Sequence, residues 1–388
     1  MYLNSQELIE AAERKTSLAD WDGEEFRRPF GILVDAINEE AGLHPLGRAR
    51  AHQWLQLRLE QRLRMVEDRK RRSEICEQQI DRPTFLIGFP RAGTTYLHTL
   101  LSLDPATIAP LFWQLSLPSP PPNDPACDQS GSIHRIQDML EYQGWLTPEI
   151  ARTHHHAADL PEEDFFGFEY SFVSTGFMGF FDIPSYVAQV VAGDFSVAYA
   201  WHRRVLQALQ VGTKGRRWML KAPEHTMHVE TLLAAYPDAL LVQHHRDPSK
   251  VMASVFSVLS ACRGNYTDRV QRLSKEQARD FMLMYANGIE HAMELRNIPA
   301  VECRFLDIHY RDLERDPVAC VRRVYDHAGL TFAAEADAAV GRWVVDNRKG
   351  KHGKHRYLLA EYGLTQNEVR AAFARYIDRF RVEFEGEA

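Results

Sequence analysis

Residues 84–101 read Thr84-Phe-Leu-Ile-Gly88-Phe-Pro-Arg91-Ala92-Gly93-Thr94-Thr95-Tyr96-Leu-His-Thr-Leu-Leu101, and their order decides the fold. Pro83 breaks a preceding helical pattern. Thr84 to Phe89 is then an apolar run of strand length, and Tyr96 to Leu101 returns to helix. The turn from Gly88 to Thr95 holds two glycines and two hydroxyls. A Gly-rich turn that follows a strand and opens a helix is the setting in which backbone N–H groups close around a phosphate. In the GxxxxGK[ST] pattern of nucleoside triphosphatases the lysine position is here Thr94, while a cation stands inside the loop as Arg91. That departure argues against ATP or GTP hydrolysis. A tight turn with no ligand is the plain alternative for this stretch alone.

Working outward, Trp218 to Leu220, Ala239 to His245 and Val301 to Asp307 read as strands separated by helical patterns, the rhythm of a parallel α/β sheet. From Ser5 to Ser73 the pattern is helical, with Leu55, Leu59, Leu63 and Val66 recurring at spacings of three and four on one face. We expect a helical N-terminal lobe over residues 1–80, packed on a domain over 81–388 whose last stretch, Gln366 to Phe384, is helical again. Arg48 to Arg72 carries nine basic and three acidic residues. We read it as a solvated face opposite the buried stripe, in preference to a nucleic-acid or membrane helix. Leu117 to Pro125, with five prolines in nine residues, cannot be regular helix and reads as an extended segment.

The 388 residues are 45% hydrophobic and 26% charged, an ordinary globular composition that excludes long disorder and collagen-like repeats. With 46 basic against 53 acidic residues the net charge is −7, so no overall field draws the chain to nucleic acid or anionic lipid. An anion site has to be local. The five cysteines are scattered without a CxxC pair, which fits reduced thiols and a cytoplasmic protein. No signal peptide or spanning segment is read, so no membrane insertion is expected.

Two further cationic stretches stand out. In Arg246-Asp-Pro-Ser-Lys-Val-Met-Ala-Ser254 a strand ends in an arginine, and a serine lies eight residues on, in a helix that can start at Pro248. Both reach one phosphate only if the strand end folds back beside the helix. Arg348-Lys349-Gly350-Lys-His-Gly-Lys-His-Arg-Tyr357 is glycine-broken and cationic, suited to gripping an anion. His154, His155 and His156 do not read as a metal site, because adjacent side chains diverge. Pro161-Glu-Glu-Asp164 offers either a second carboxylate near an acceptor or an exposed helix start. Phe165 to Phe181 and Tyr186 suit core packing or an apolar acceptor pocket. His244 and His245 read as core residues.

In this order the segments resemble the sulfotransferases that use 3′-phosphoadenosine 5′-phosphosulfate (PAPS) and release the bisphosphate PAP, in particular a bacterial branch. Phe89 to Thr95 resembles the 5′-phosphosulfate loop, with Arg91 where the animal enzymes often carry lysine. Arg246 and Ser254 reproduce the spacing of the 3′-phosphate pair. Tyr310-Arg-Asp-Leu-Glu-Arg-Asp-Pro317 resembles the segment whose tyrosine lies by the adenine, and Arg348-Lys349-Gly350 the stretch that closes over the 3′-phosphate. The resemblance implies a P-loop-like three-layer fold with a central parallel sheet, and sulfuryl transfer without a metal to a small-molecule acceptor. Nucleotide contacts then fall to Arg91, Ala92, Gly93, Thr94, Thr95, Tyr96, Arg246, Ser254, Tyr310, Arg348, Lys349 and Gly350.

Lys221-Ala-Pro-Glu-His225 is similar to the segment that holds the catalytic histidine of the animal enzymes. His225 is the favoured general base, Glu224 the second choice, and a packing role stays open. Lys221 would stabilise the transferring group, and Arg91 would clamp charge without donating a proton. Another branch uses a glutamate where this chain has Trp113-Gln114, and Gln114 cannot take a proton. The oligomeric state is open, a homodimer included. A P-loop nucleotide kinase and a non-catalytic nucleotide-binding protein are the alternatives.

Overall fold

A strand covered by helices on both faces has to be apolar along its length. Thr84–Gly88 (β1) meets that condition, with all five residues buried. The computed structural model describes residues 2–148, 157–191, 193–213, 215–267, 272–347 and 358–386. In it β1 joins Thr107–Ile108 (β2), Arg217–Lys221 (β3), Leu240–His245 (β4) and Phe305–His309 (β5) in one sheet. The order is β2-β3-β1-β4-β5 and every pairing is parallel. This is the α/β, P-loop-like architecture the sequence implies. All C-terminal ends of a parallel sheet share one edge. Here β1 lies between β3 and β4, so the chain reverses its direction of winding at β1, and the segments after those strands meet outside that edge.

Contacts divide the chain into two compact units, both discontinuous in sequence. One gathers Met1–Ile80, Pro110–Lys214 and Leu259–Gln271; the other gathers Asp81–Ala109, Gly215–Val258 and Arg272–Ala388 and contains the whole sheet. In the sheet unit, Leu86, Met219, Val242 and Ile308 from four strands pack with Leu97 and Val321 in one buried cluster.

Two expectations for this unit need correction. The strand expected from Val301 begins only at Phe305, because Pro299 sets the first turn of a short helix, Pro299–Glu302, and proline's fixed φ suits that position. The terminal helix breaks into Gln366–Ala372 and Ala374–Phe380. Arg381 then takes φ 50°, and the Val382 N–H returns to the Ile377 carbonyl at 2.9 Å, a helix-ending closure. Residues 382–386 belong to no helix or strand.

In the first unit the N-terminal pattern resolves into Ser5–Thr16, Arg27–Glu39 and Pro45–Arg71. Leu55, Leu59, Leu63 and Val66 form the buried stripe as expected. The basic residues do not simply face solvent. Arg58 and Arg62 are only 3% and 2% exposed. Arg58 Nε donates to Glu169 Oε2 at 2.6 Å, and Arg62 donates to the Tyr170 and Trp21 carbonyls at 2.6 and 3.1 Å while lying 3.9 Å from the Trp201 ring centre. A buried guanidinium is tolerable only with such partners.

Phe168 packs on Phe195 and Tyr199, and Phe172 on Phe26 and Phe30, so these aromatics build core. Asp164 is not at an exposed helix start. It is fully buried, 2.8 Å from His202 Nε2. The proline-rich stretch 117–125 is tied to the helix Pro45–Arg71: the Ser119 N–H and hydroxyl donate to Gln61 Oε1 and Asp68 Oδ2 at 3.1 and 2.5 Å. Among the described residues no helix is long and apolar enough to cross a membrane.

Candidate active site

The loop after β1 is shaped by close backbone approach. A Cβ on Gly88 would lie 2.5 Å from the His244 carbonyl oxygen and 2.9 Å from its nitrogen, on the paired strand β4. Only glycine fits there. Gly88 has φ 111°, Arg91 φ 64° and Gly93 φ 88°, three positive-φ positions before the helix Thr94–Leu101 begins, the kind of turn that lets successive N–H groups face an anion. Ala92 and Thr94 are buried under the turn, and Thr95 is exposed. The Gly88 N–H donates to Thr226 Oγ1 at 2.7 Å, and that hydroxyl donates to the Gly88 carbonyl at 3.2 Å. The start of the loop is thereby fixed to the segment after β3.

The end of β4 reaches the same loop. Arg246 Nη1 donates to the Arg91 carbonyl at 2.6 Å, and Arg91 Nε donates to Ser254 Oγ at 3.2 Å. Ser254 belongs to the helix Pro248–Gly264, which starts at the proline as expected. The strand end does fold back beside its helix, and Arg91 stands between the two residues. The Arg246 guanidinium lies 3.8 Å from the centre of the Tyr310 ring, at the end of β5. Its Nε–Nη2 edge is engaged by Glu385, Nε to Oε1 at 2.7 Å and Nη2 to Oε2 at 2.9 Å. Burial works against the charge on Arg246, but the Glu385 carboxylate and the neighbouring groups more than offset it, so the guanidinium sits above its ordinary value. A cavity of about 260 Å³ is lined here by Arg246, Tyr310, Arg311, Arg381 and Glu385.

β3 ends in Lys221, buried, with Leu86 of β1 beside it. The turn Pro223–His228 follows. Glu224 and His225 are both buried on it, and the His225 ring meets Phe85 edge-on at 4.8 Å. Lys221, Glu224 and His225 therefore share the sheet edge that carries the β1 loop, Arg246 and Tyr310. Sequence-distant cations and hydroxyls meet there, and the candidate base lies on the turn after the neighbouring strand β3.

Residues 83–334 match the profile described as the sulfotransferase family. The chain belongs to the sulfotransferase family. It is similar to the crystal structure of sulfotransferase STF1 from Mycobacterium tuberculosis, at 30% identity and TM-score 0.83 over 96% of this chain and 99% of that one. The crystal structure of sulfotransferase STF9 from Mycobacterium avium gives 28% identity and TM-score 0.86 over 98% of each chain. A Mycobacterium bovis protein named omega-hydroxy-beta-dihydromenaquinone-9 sulfotransferase Stf3 is 26% identical over 269 residues, 64% of this chain and 63% of that protein. That match spans less than two thirds of the relative's length.

Within this sulfotransferase-family chain, the expected site residues divide by position. Arg91, Ala92, Gly93, Thr94, Thr95, Arg246, Ser254 and Tyr310 gather at one edge of the sheet. Tyr96 lies on the helix that follows the loop, its ring 5.6 Å from that of Trp343, a partner that no motif signalled. Arg348, Lys349 and Gly350 lie outside the described residues, as do His154, His155 and His156. Gln114 caps its own short helix by accepting the Leu111 N–H at 3.0 Å. His245 is a bonded core residue, with Asp307 Oδ1 2.8 Å and the Tyr376 hydroxyl 3.2 Å away. Thr226 and Glu385 escaped the sequence reading. Thr226 adjoins the His225 motif and was within reach of it; Glu385 carries no local signal at all.

Proposed function

We propose that the chain transfers the sulfuryl group of PAPS to a hydroxyl of a small acceptor. The observation that carries this reading is the arrangement around Arg91: one residue of the phosphate-type loop is held by Arg246 through its carbonyl and holds Ser254 through its side chain. Two anion grips joined in this way suit an adenosine carrying phosphates at 3′ and 5′ better than a triphosphate. Thr94 in the lysine position also disfavours a kinase.

In this mechanism the loop amides, Arg91, Thr94 and Thr95 hold the 5′-phosphosulfate, and Arg246 with Ser254 the 3′-phosphate. Tyr310 packs beside the nucleotide, and Arg348, Lys349 and Gly350 complete the 3′-phosphate grip. The acceptor oxygen attacks sulfur in line. Its proton passes to His225, with Glu224 as the alternative base, while the S–O bond to the bridging oxygen breaks and that electron pair leaves on PAP. Lys221 stabilises the charge that grows on the transferred group. No metal is required by this scheme. An apolar or aromatic alcohol is the favoured acceptor class and an amine the less favoured one.

Calorimetric titration with PAP, ATP and ATP with magnesium tests the reading. Tight PAP binding with little affinity for ATP is expected, followed by turnover of labelled PAPS against a panel of alcohols. Preference for ATP with magnesium would overturn it. PAP binding without turnover of PAPS against any alcohol would favour a non-catalytic nucleotide-binding protein.

A further inference from the structure

We propose that the segment Val382–Glu385 is a built-in occupant of the nucleotide's 3′-phosphate position, with the Glu385 carboxylate holding Arg246 until the nucleotide displaces it. This rests on the assignment of Arg246 to the 3′-phosphate. Guanidinium offers carboxylates and phosphates the same planar fork, and Glu385 takes it in the two-point manner, at 2.7 and 2.9 Å. Arg246 cannot rotate to serve both anions, because Nη1 is bound to the Arg91 carbonyl at 2.6 Å and the guanidinium lies over Tyr310. The Nε–Nη2 edge that faces Glu385 is the two-point fork that a phosphate would also take.

The segment is anchored along its length by attachments that do not use Arg246. The Val382 N–H returns to the Ile377 carbonyl and its side chain is buried. Arg311 Nη2 donates to the Phe384 carbonyl at 3.1 Å and pairs with Glu383. The Arg370 guanidinium lies 3.9 Å from the centre of the Phe384 ring. The Glu385 N–H donates to Asp247 Oδ2 at 3.0 Å, one residue beyond Arg246. These contacts present the carboxylate at the right place without burying it, since its side chain is 24% exposed. A phosphate dianion carries more charge to the same fork than one carboxylate does, so the nucleotide can take it. Apparent affinity is then lowered by the fraction of chains in which the fork is occupied.

The test is titration of the full chain and of Glu385→Gln with PAP and with adenosine 5′-monophosphate, which lacks the 3′-phosphate. Expected is PAP binding about 3- to 10-fold tighter in the variant, the range for releasing a partly exposed ion pair, with the monophosphate unchanged. Equal PAP affinity in both proteins, or weaker binding by the variant, overturns the proposal. So does equal tightening for the monophosphate, because the competition would then not be at the 3′ position. If the full chain binds no 3′-phosphorylated nucleotide, the functional reading itself fails and the proposal falls with it. Amide hydrogen exchange gives a measure that needs no variant: saturating PAP should speed exchange across residues 382–386, and unchanged protection of the Glu385 amide would refute displacement.

Discussion

Gly93→Ala is the substitution whose effect can be worked most directly from the structure. Gly93 has φ 88°, and placing an L residue in the left-handed region costs about 1–2 kcal/mol. Its new Cβ would also lie 2.7 Å from Leu313 Cδ2 and 3.3 Å from Tyr310 Cδ2. Leu313 is 1% exposed and packed in the buried cluster with Leu97 and Val321, so it has little room to retreat, and overpacking of this kind costs about 1–3 kcal/mol. Partial relaxation leaves about 2–4 kcal/mol to be shared between the fold and the loop. Expressed wholly in binding, that is roughly 30- to 1,000-fold weaker PAP affinity. Calorimetric titration and thermal unfolding, run side by side, show how the cost divides. Gly341→Ala is the control, because Gly341 lies in the helix Ala334–Asp346 with open space around it, and alanine should add about 0.5–1 kcal/mol of stability there. A Gly93→Ala protein that binds PAP within threefold of the parent and melts at the same temperature would refute the account of the loop.

Three further outcomes are expected. His225→Ala should lower turnover about 10²- to 10⁴-fold as a lost general base does, with PAP affinity within twofold; full turnover would transfer the role to Glu224, checked with Glu224→Gln. Thr226→Val leaves the Gly88 N–H without its acceptor, which should cost about 1–3 kcal/mol in urea unfolding, while Thr226→Ser keeps the hydroxyl. Equal stability of the two variants would show that the hydroxyl does not fix the loop. Acid should weaken the fold before carboxylates titrate. Burial, aided by neighbouring histidines, pushes His228 and His244 down to about 3 against an unfolded value near ~6.5. Below that value the unfolded chain takes up protons the folded chain refuses, so stability is greatest above pH ~6.5 and falls toward pH ~3, by ~1.4 kcal/mol per pH unit and group. Unfolding free energies at pH 7.5 and 5 should differ by on the order of 4 kcal/mol; a flat profile would mean these imidazoles are accessible to protons in the folded state.

The sheet was legible because its determinants are local. A strand buried on both faces is mostly apolar, and Phe85 to Ile87 of β1 and Leu240 to Val242 of β4 show this in the sequence as plainly as in the structure, although β4 ends in the buried polar residues Gln243, His244 and His245. The loop glycines are legible for the same reason, since the turn itself demands them. What the sequence does not display is the partner of a charge. Arg58 in a basic run looks solvated until its carboxylate, Glu169, arrives from 111 residues away. Glu385 meets Arg246 across 139 residues, and nothing in the acidic tail distinguishes it from a solvated end. Boundaries failed where one residue redirects the backbone, at Pro299 before β5 and at Arg381 after the last helix.

Those hidden pairings also change how the site's charge is understood. A chain with net charge −7 that is proposed to bind a polyanion invites the expectation of a bare cationic pocket, yet three arginines of this edge each face an internal acid. Arg246 meets Glu385, Arg311 meets Glu383, and Arg370 meets Asp247, which also caps its own helix through Ser249. A cluster of unpaired guanidiniums would repel itself and would attract any passing anion. Pairing each with a carboxylate removes both costs and keeps the forks oriented, because Arg246 is held in place by Arg91 and Tyr310 whether or not an anion is bound. Under the proposed displacement, nucleotide binding at this edge is an exchange of anions on a preformed fork. Selectivity then follows from what the exchange demands: a single negative charge gains little by replacing a carboxylate, whereas a phosphate dianion whose adenosine also reaches Tyr310 and whose second phosphate group reaches the Gly88–Thr95 loop gains at three places at once.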